Sequence, residues 1–208
     1  YNAVMKLFAH LKTITRHRHM VMRLCFRVGI GAQGLKHDLS KYSLTELKTG
    51  AKYYVGTRSP NSLEREEKGY SEAWLHHKGR NKHHFEYWYD YSAKEKKYVP
   101  VPMPERYLLE SFCDRIAASK VYKGKNYTDA APLEYFLIKN DGALMHPDSA
   151  KTLLRWLTLL AEKGEKESLR QLKKMHRQYV KDERLSKRRE KDKKSKQPGC
   201  NLTGKENR

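Results

Sequence analysis

The sequence predicts an all-α protein: a compact helical domain followed by a basic C-terminal helix and a disordered tail. Three observations predict it. Apolar residues recur at helical spacing in several long stretches, Ser, Asp and Pro mark where those stretches start, and no stretch sustains strand alternation.

Taken in order, residues 4–28 place Leu7, Leu11, Ile14, Val21, Leu24 and Val28 on one side of an amphipathic helix about six or seven turns long. Gly29, Gly31 and Gly34 end it. Ser43-Leu44-Thr45-Glu46 has the form of a capping box and opens a helix through Tyr54. Residues 56–69 read as a polar loop around Pro60, residues 71–88 as helix with a break at Gly79, and residues 91–104 as a loop rich in lysine and proline. Pro104 suits the first position of a helix over 105–122, and Pro132 opens a short one to Ile138. Asp148 caps a helix over 150–163 with Leu153, Leu154, Trp156, Leu157 and Leu160 on its buried side. A charged helix follows over 166–189, and residues 191–208 hold too few apolar side chains to order. The organisation is therefore a helical domain over 1–163 and a basic helix with its tail over 164–208.

Charge narrows the partners. The net charge is +20, and residues 163–208 hold 17 Lys/Arg against 7 Asp/Glu, which is half of it. Such a balance favours nucleic acid, nucleotides or acidic surfaces, although charge of this kind also simply solubilises a protein. Cys25, Cys113 and Cys200 stand in unrelated settings, which argues against a disulfide framework and fits a reducing cytoplasm. No apolar run approaches a membrane span, and the charged N-terminal segment does not read as a signal peptide.

The ten histidines are concentrated in a few places. His10 and His17 are two helical turns apart and share the inward stripe with Ile14 and Val21, and His77 and His84 repeat that spacing. His37-Asp38 follows the glycine-rich turn. Asp114 sits mid-helix among hydrophobic neighbours, an unpaired buried charge unless a cation meets it. A single histidine on an apolar stripe is usually a hydrogen-bonded core residue. One metal site accounts for all of these placements together, and imidazole with carboxylate is the ligand set of divalent Mn, Fe, Ni, Co or Zn, as one ion or two.

Two resemblances follow from these residues. The segment His17-Arg18-His19-Met20-Val21, the pair in His37-Asp38-Leu39-Ser40-Lys41 and the late helical Asp114 resemble the motifs of HD-domain metal-dependent phosphohydrolases. Ala73-Trp74-Leu75-His76-His77 with Gly79-Arg80-Asn81-Lys82-His83-His84-Phe85-Glu86-Tyr87-Trp88 is similar to an uncharacterised bacterial and phage family, a domain of unknown function whose members are sometimes labelled catalase. That likeness covers roughly residues 9–161. The resemblance implies an HD-like fold, with His17, His37, Asp38 and Asp114 holding one metal and His77 and His84 a second. His10, His76 and His83 stand in reserve, and Asn81 and Glu86 orient ligand histidines from behind. The interval between His17 and His37 is shorter than in an HD domain.

In a two-metal site Asp38 bridges the ions, because a carboxylate offers two oxygens, and a metal-activated water attacks a phosphoryl group. Lys41, Arg80 and Arg115 are the candidates to meet phosphate oxygens. The expected activity is a metal-dependent phosphohydrolase acting on a nucleotide or other phosphoester. Two rivals stand beside it: a non-enzymatic nucleic-acid-binding protein with a structural histidine cluster, drawn by the net charge and the basic tail, and a non-haem redox centre. Oligomeric state is left open. Trp74, Tyr87, Trp88, Tyr89 and Tyr91 flank the histidines and read first as packing, second as a base-stacking wall.

Overall fold

A computed structural model describes residues 3–195. The first helix, α1 (Ala3–Val28), buries His10, Ile14, His17, Val21, Leu24 and Val28, steps of three and four residues that make one inward face. After Gly29 the chain makes a single turn, α2 (Gly31–Gly34), and folds back against α1. A 3-10 turn over Leu39–Tyr42 leads into α3 (Leu44–Tyr53), whose cap Ser43 accepts from the Glu46 amide at 3.4 Å.

Three segments differ from expectation. The polar loop over 56–69 is helical at α4 (Pro60–Lys68), with Pro60 in the first turn. Its one aliphatic residue, Leu63, gave no periodicity to read; what anchors the helix is a buried carboxylate, Glu64. The helix expected over 71–88 stops at α5 (Glu72–Lys78). Asn81 turns back to end it, its Nδ2 donating to the His77 carbonyl at 2.8 Å, so His83 and His84 lie in a turn before a 3-10 segment, Phe85–Tyr87. The lysine-rich loop contains a short antiparallel hairpin, β1 (Tyr89–Ser92) and β2 (Lys97–Pro100), with Tyr91 paired to Tyr98 across it.

The centre of the fold is α6 (Glu105–Lys123), which buries Leu108, Leu109, Phe112, Cys113, Ile116 and Ala117 nearly all round and packs between α1 and the C-terminal helix. Two short helices, α7 (Ala131–Lys139) and α8 (Asp141–Leu144), lead to α9 (Pro147–Ser195). Leu153, Trp156, Leu157 and Leu160 of α9 meet α6, with Phe112 edge-on to Trp156 at 6.3 Å between centroids. Each such burial stabilises by about 1.5–3 kcal/mol. Gly164 breaks α9 where the sequence places its domain boundary, and Leu169 and Leu172 beyond the break join the same core.

The charged helix continues through Ser195; the rest of the expected tail, 196–208, lies outside the described residues. Cys25 and Cys113, unrelated in sequence, meet in the core as free thiols, and Cys200 is outside the described residues. No helix among the described residues is long and apolar enough to cross a membrane. The fold is all-α apart from the hairpin.

Candidate metal centre

Four elements deliver one polar cluster into this core. His17 comes from the inward face of α1, one turn after Ile14. His37 and Asp38 come from the turn that leaves α2. Gly34 makes that approach close: a Cβ there would stand 2.5 Å from the Cys25 Cβ, so a larger residue would lift the turn off α1. Arg18 fastens it from outside, its Nε donating to the His37 carbonyl at 3.1 Å. Asp38 itself has left-handed backbone, φ +53°, a strained choice for a residue with a side chain and one that clusters at functional sites. Asp114 projects from the middle of α6, and His77, His83 and His84 come from the last turn of α5 and the turn after it.

These side chains form two groups that share Asp38. In the first, one atom each of His17, His37, Asp38 and Asp114 lies within 4.8 Å of every other. His17 Nε2 is 2.9 Å from Asp114 Oδ1 and 3.7 Å from Asp38 Oδ2, while His37 Nε2 is 3.3 Å from Asp38 Oδ2 and 3.6 Å from Asp114 Oδ1. The second group is Asp38, His77, His83 and His84. Here Asp38 Oδ1 lies 3.3 Å from His77 Nε2 and 3.5 Å from His83 Nε2, and His77 and His84 face each other through their Nε2 atoms at 2.9 Å. Metal–ligand bonds of about 2.0–2.2 Å put neighbouring ligand atoms about 3.0–3.5 Å apart, the spacing seen here.

Hydrogen bonding distinguishes this cluster from an ordinary polar core. His17 Nε2, His37 Nε2, His83 Nε2 and Asp38 Oδ1 are buried without a hydrogen-bond partner, and Asp38 Oδ2 meets only the Lys41 ammonium, in an ion pair at 2.6 Å. Their near neighbours are one another, at ionic distance. A buried polar atom left in this state costs about 1–3 kcal/mol. The opposite ring nitrogens of His37, His77 and His83 face carboxylates. Glu110 Oε1 lies 2.9 Å from His37 Nδ1 and 3.3 Å from His83 Nδ1, and Gln33 holds its other oxygen. Glu46 takes His77 Nδ1 at 3.0 Å and His76 Nδ1 at 2.9 Å. A carboxylate on Nδ1 fixes the tautomer and presents Nε2 to a metal. The donors therefore fit divalent ions on either side of Asp38.

The electrostatics keep the carboxylates ionised and, against burial, raise the pKa of His37 through Asp38, Asp114 and Glu110 and that of His77 through Asp38 and Glu46. Burial works against ionising Asp38, but His37, Lys41 and His77 outweigh it and hold its carboxyl well below the usual range. Asp114 is likewise held low against its burial by His17 and His37. Glu110 is held to about 2, the His37 and His83 hydrogen bonds overcoming burial. Burial pushes His17 and His84 below the ordinary imidazole value, which leaves them neutral and able to ligate.

The predicted residues sort clearly. His17, His37, Asp38 and Asp114 come together, His77 and His84 join Asp38, and Asn81 supports His77 by donating its Nδ2 to the His77 carbonyl at 2.8 Å. His83, held in reserve on the sequence, stands among the ligand atoms because the chain turns where a helix was expected. His10 does not reach the centre: its ring fills the space above Gly50 beside Tyr54, 5.6 Å away, and burial with Lys41 lowers its pKa to about 4. Glu86 touches no ligand histidine; it lies toward Arg115 and Asp141, and burial raises its pKa. Lys41 Nζ stands 2.6 Å from Asp38 Oδ2. Arg115 is committed to Asp141 at 2.8 Å, and Arg80 folds back on the His76 carbonyl at 3.2 Å.

Sequence reasoning missed Glu110 and Glu46. Glu110 precedes Asp114 by one helical turn on the same face, which is the signal that finds it. Glu46 was absorbed by the capping box, but its carboxylate serves the histidines instead. Of the aromatic residues, Trp74 packs against the His84 ring at 4.7 Å and Trp88 against Tyr107 at 5.5 Å.

Residues 6–159 match the model of a family described as a family of unknown function (DUF5662). No curated protein and no solved structure matches the chain.

Proposed function

We propose that this chain, which belongs to the DUF5662 family of unknown function, is a metal-dependent phosphohydrolase acting on a nucleotide or other phosphoester. One observation carries the proposal: each oxygen of the buried Asp38 faces its own pair of imidazoles, Oδ2 those of His17 and His37 and Oδ1 those of His77 and His83. That is the arrangement a carboxylate needs to bridge two ions. His17, His37 and Asp114 would complete one site, and His77, His83 and His84 the other. The resemblance of His17, His37-Asp38 and Asp114 to the HD phosphohydrolases supports the same chemistry. When bound, divalent ions such as Mn, Fe, Ni, Co or Zn supply Lewis-acid polarisation of a phosphoryl group and a more acidic water.

The chain's own residues do the remainder. Glu110 and Glu46 keep three imidazoles in the tautomer that leaves Nε2 free. Lys41 brings an ammonium to the edge of the centre, paired with Asp38 Oδ2 and with its side chain 26% exposed, and would meet a phosphoryl oxygen there. Arg80 and Arg115, engaged elsewhere, leave that task to it.

Elemental analysis of the purified protein, followed by a panel of phosphomonoesters and phosphodiesters with the metal found, tests the proposal. Stoichiometric transition metal, lost in Asp38→Ala together with the hydrolysis, is expected. Folded wild-type protein that takes up no metal would end it.

A further inference from the structure

Away from this centre lie two basic helix faces. One is the outer side of α1, where Lys12, Arg16, His19 and Arg23 stand at steps of four, three and four residues, a single exposed stripe. The other lines a cleft between the end of α1 and the part of α9 beyond Gly164. Lys173, Arg177, Lys181, Arg184 and Arg188 run along it at the same helical spacing. No carboxylate lines either face. Among the described residues the Lys and Arg of these two stripes make no ion pair, whereas Arg170 and Lys187 of the same α9 helix are paired with Glu167 and Glu183. Rows of uncompensated like charge repel one another and are satisfied by a polyanion.

Phe26 links the two rows by position. It continues the α1 stripe three residues past Arg23 and also lines the cleft. Its side chain is 54% exposed, yet the ring has a fixed seat: a Cβ at Gly31 would stand 2.4 Å from Phe26 Cδ1, so only glycine leaves room for it. An exposed aromatic ring seated midway between two basic rows is a stacking platform, and only an unpaired strand offers the face of a base to it. At 1.5 Å per residue, Lys12 to Phe26 spans about 21 Å and Lys173 to Arg188 about 22 Å, room for several nucleotides on each side.

We propose that the two stripes form one track for single-stranded nucleic acid, with phosphates on the lysines and arginines and a base stacked on Phe26. The cleft lies between two helices, a groove along which a strand can lie. The track is independent of the metal centre, because His17 faces the interior from the other side of α1.

The test uses the full chain. Fluorescence anisotropy measures binding of labelled oligo-dT and oligo-U of about 20 nucleotides, and of a duplex of equal length, over a salt series. Phosphatidylserine vesicles are the control surface. Arg16→Gln/Arg23→Gln and Arg177→Gln/Arg184→Gln should each weaken single-strand binding at least tenfold. Each should also flatten the slope of log K against log salt by about 1.4, two phosphates at about 0.7 each. Phe26→Ala should weaken binding about fivefold or more with the slope unchanged. Metal content should be the same in every variant. The α1 pair is decisive, since it leaves the basic C-terminal segment intact. Wild-type affinity in either double variant, equal affinity for duplex, or binding to vesicles alone would overturn the proposal. A preference between the DNA and RNA strands would assign the sugar within it.

Discussion

Glu64 and Asp38 are both fully buried carboxylates on the same side of the molecule, and they are treated in opposite ways. Glu64 is closed by the protein. Ser71 Oγ donates to it at 2.6 Å, Lys68 Nζ at 3.2 Å, the Ala73 amide at 3.4 Å and Thr49 Oγ1 at 3.5 Å. Asp38 has comparable burial and a strained backbone, yet beyond Lys41, 2.6 Å from Oδ2, its oxygens face only imidazoles. The first ties α3, α4 and the start of α5 together; the second is held open. A buried acid whose lone pairs are all answered by protein donors is structural, and one whose lone pairs converge on a shared point with several imidazoles is a site.

The comparison can be broken most forcefully at Asp38 itself. Asn keeps the shape and tolerates the left-handed backbone, so Asp38→Asn should lower phosphoester hydrolysis by at least about a hundredfold, or about 2.7 kcal/mol in barrier, with the thermal stability of the metal-free protein unchanged or raised. A large loss of stability would place Asp38 beside Glu64 as a structural acid. Glu110→Gln is expected to weaken metal affinity about 10–100-fold in a chelator titration, because two imidazoles lose the carboxylate that orients them. Wild-type affinity would mean that Glu110 only fills space.

Glu64→Gln should show the reverse pattern: a stability loss of about 1–3 kcal/mol by denaturant unfolding, with metal content intact. Its pH dependence has a definite sign. Burial alone would raise the Glu64 pKa, but Ser71, Lys68 and the Ala73 amide outweigh it and hold the carboxyl below its ordinary value. The stabilisation is therefore present above about pH 4.3 and is lost as pH falls through the lower folded value. The gap between wild type and Glu64→Gln should narrow in that acid range; a gap that widens on acidification would contradict the assignment. Arg80→Ala, at an exposed guanidinium bonded only to its own helix, should change activity by less than about twofold.

Much of this was legible in the sequence for identifiable reasons. α1 and the first part of α9 carry apolar periodicity, α6 is opened by Pro104 and buried nearly all round, and together they build the core. His17, His37, Asp38 and Asp114 stood out because each is a polar residue on an apolar face. What escaped notice was polarity in settings that look ordinary. Glu46 sits in a sequence that caps a helix, and Glu110 looks like any helical glutamate until α6 is known to be buried nearly all round. His83 was displaced by one register because Asn81 ends α5 through a side-chain bond that periodicity does not encode. The strands of the hairpin, four residues each, are too short for alternation to register. His10 shared the stripe of His17 but not its destination, since the inner face of α1 meets α3 at one end and the metal centre further along.

The central claim is that two ions share Asp38. Anomalous diffraction from metal-loaded crystals, recorded at the absorption edge of the bound element, addresses it directly. Two peaks should flank the Asp38 carboxylate about 3.5–4 Å apart, one among His17, His37 and Asp114 and the other among His77, His83 and His84. Peaks elsewhere in the molecule, or none at Asp38 in protein that binds the metal, would contradict it.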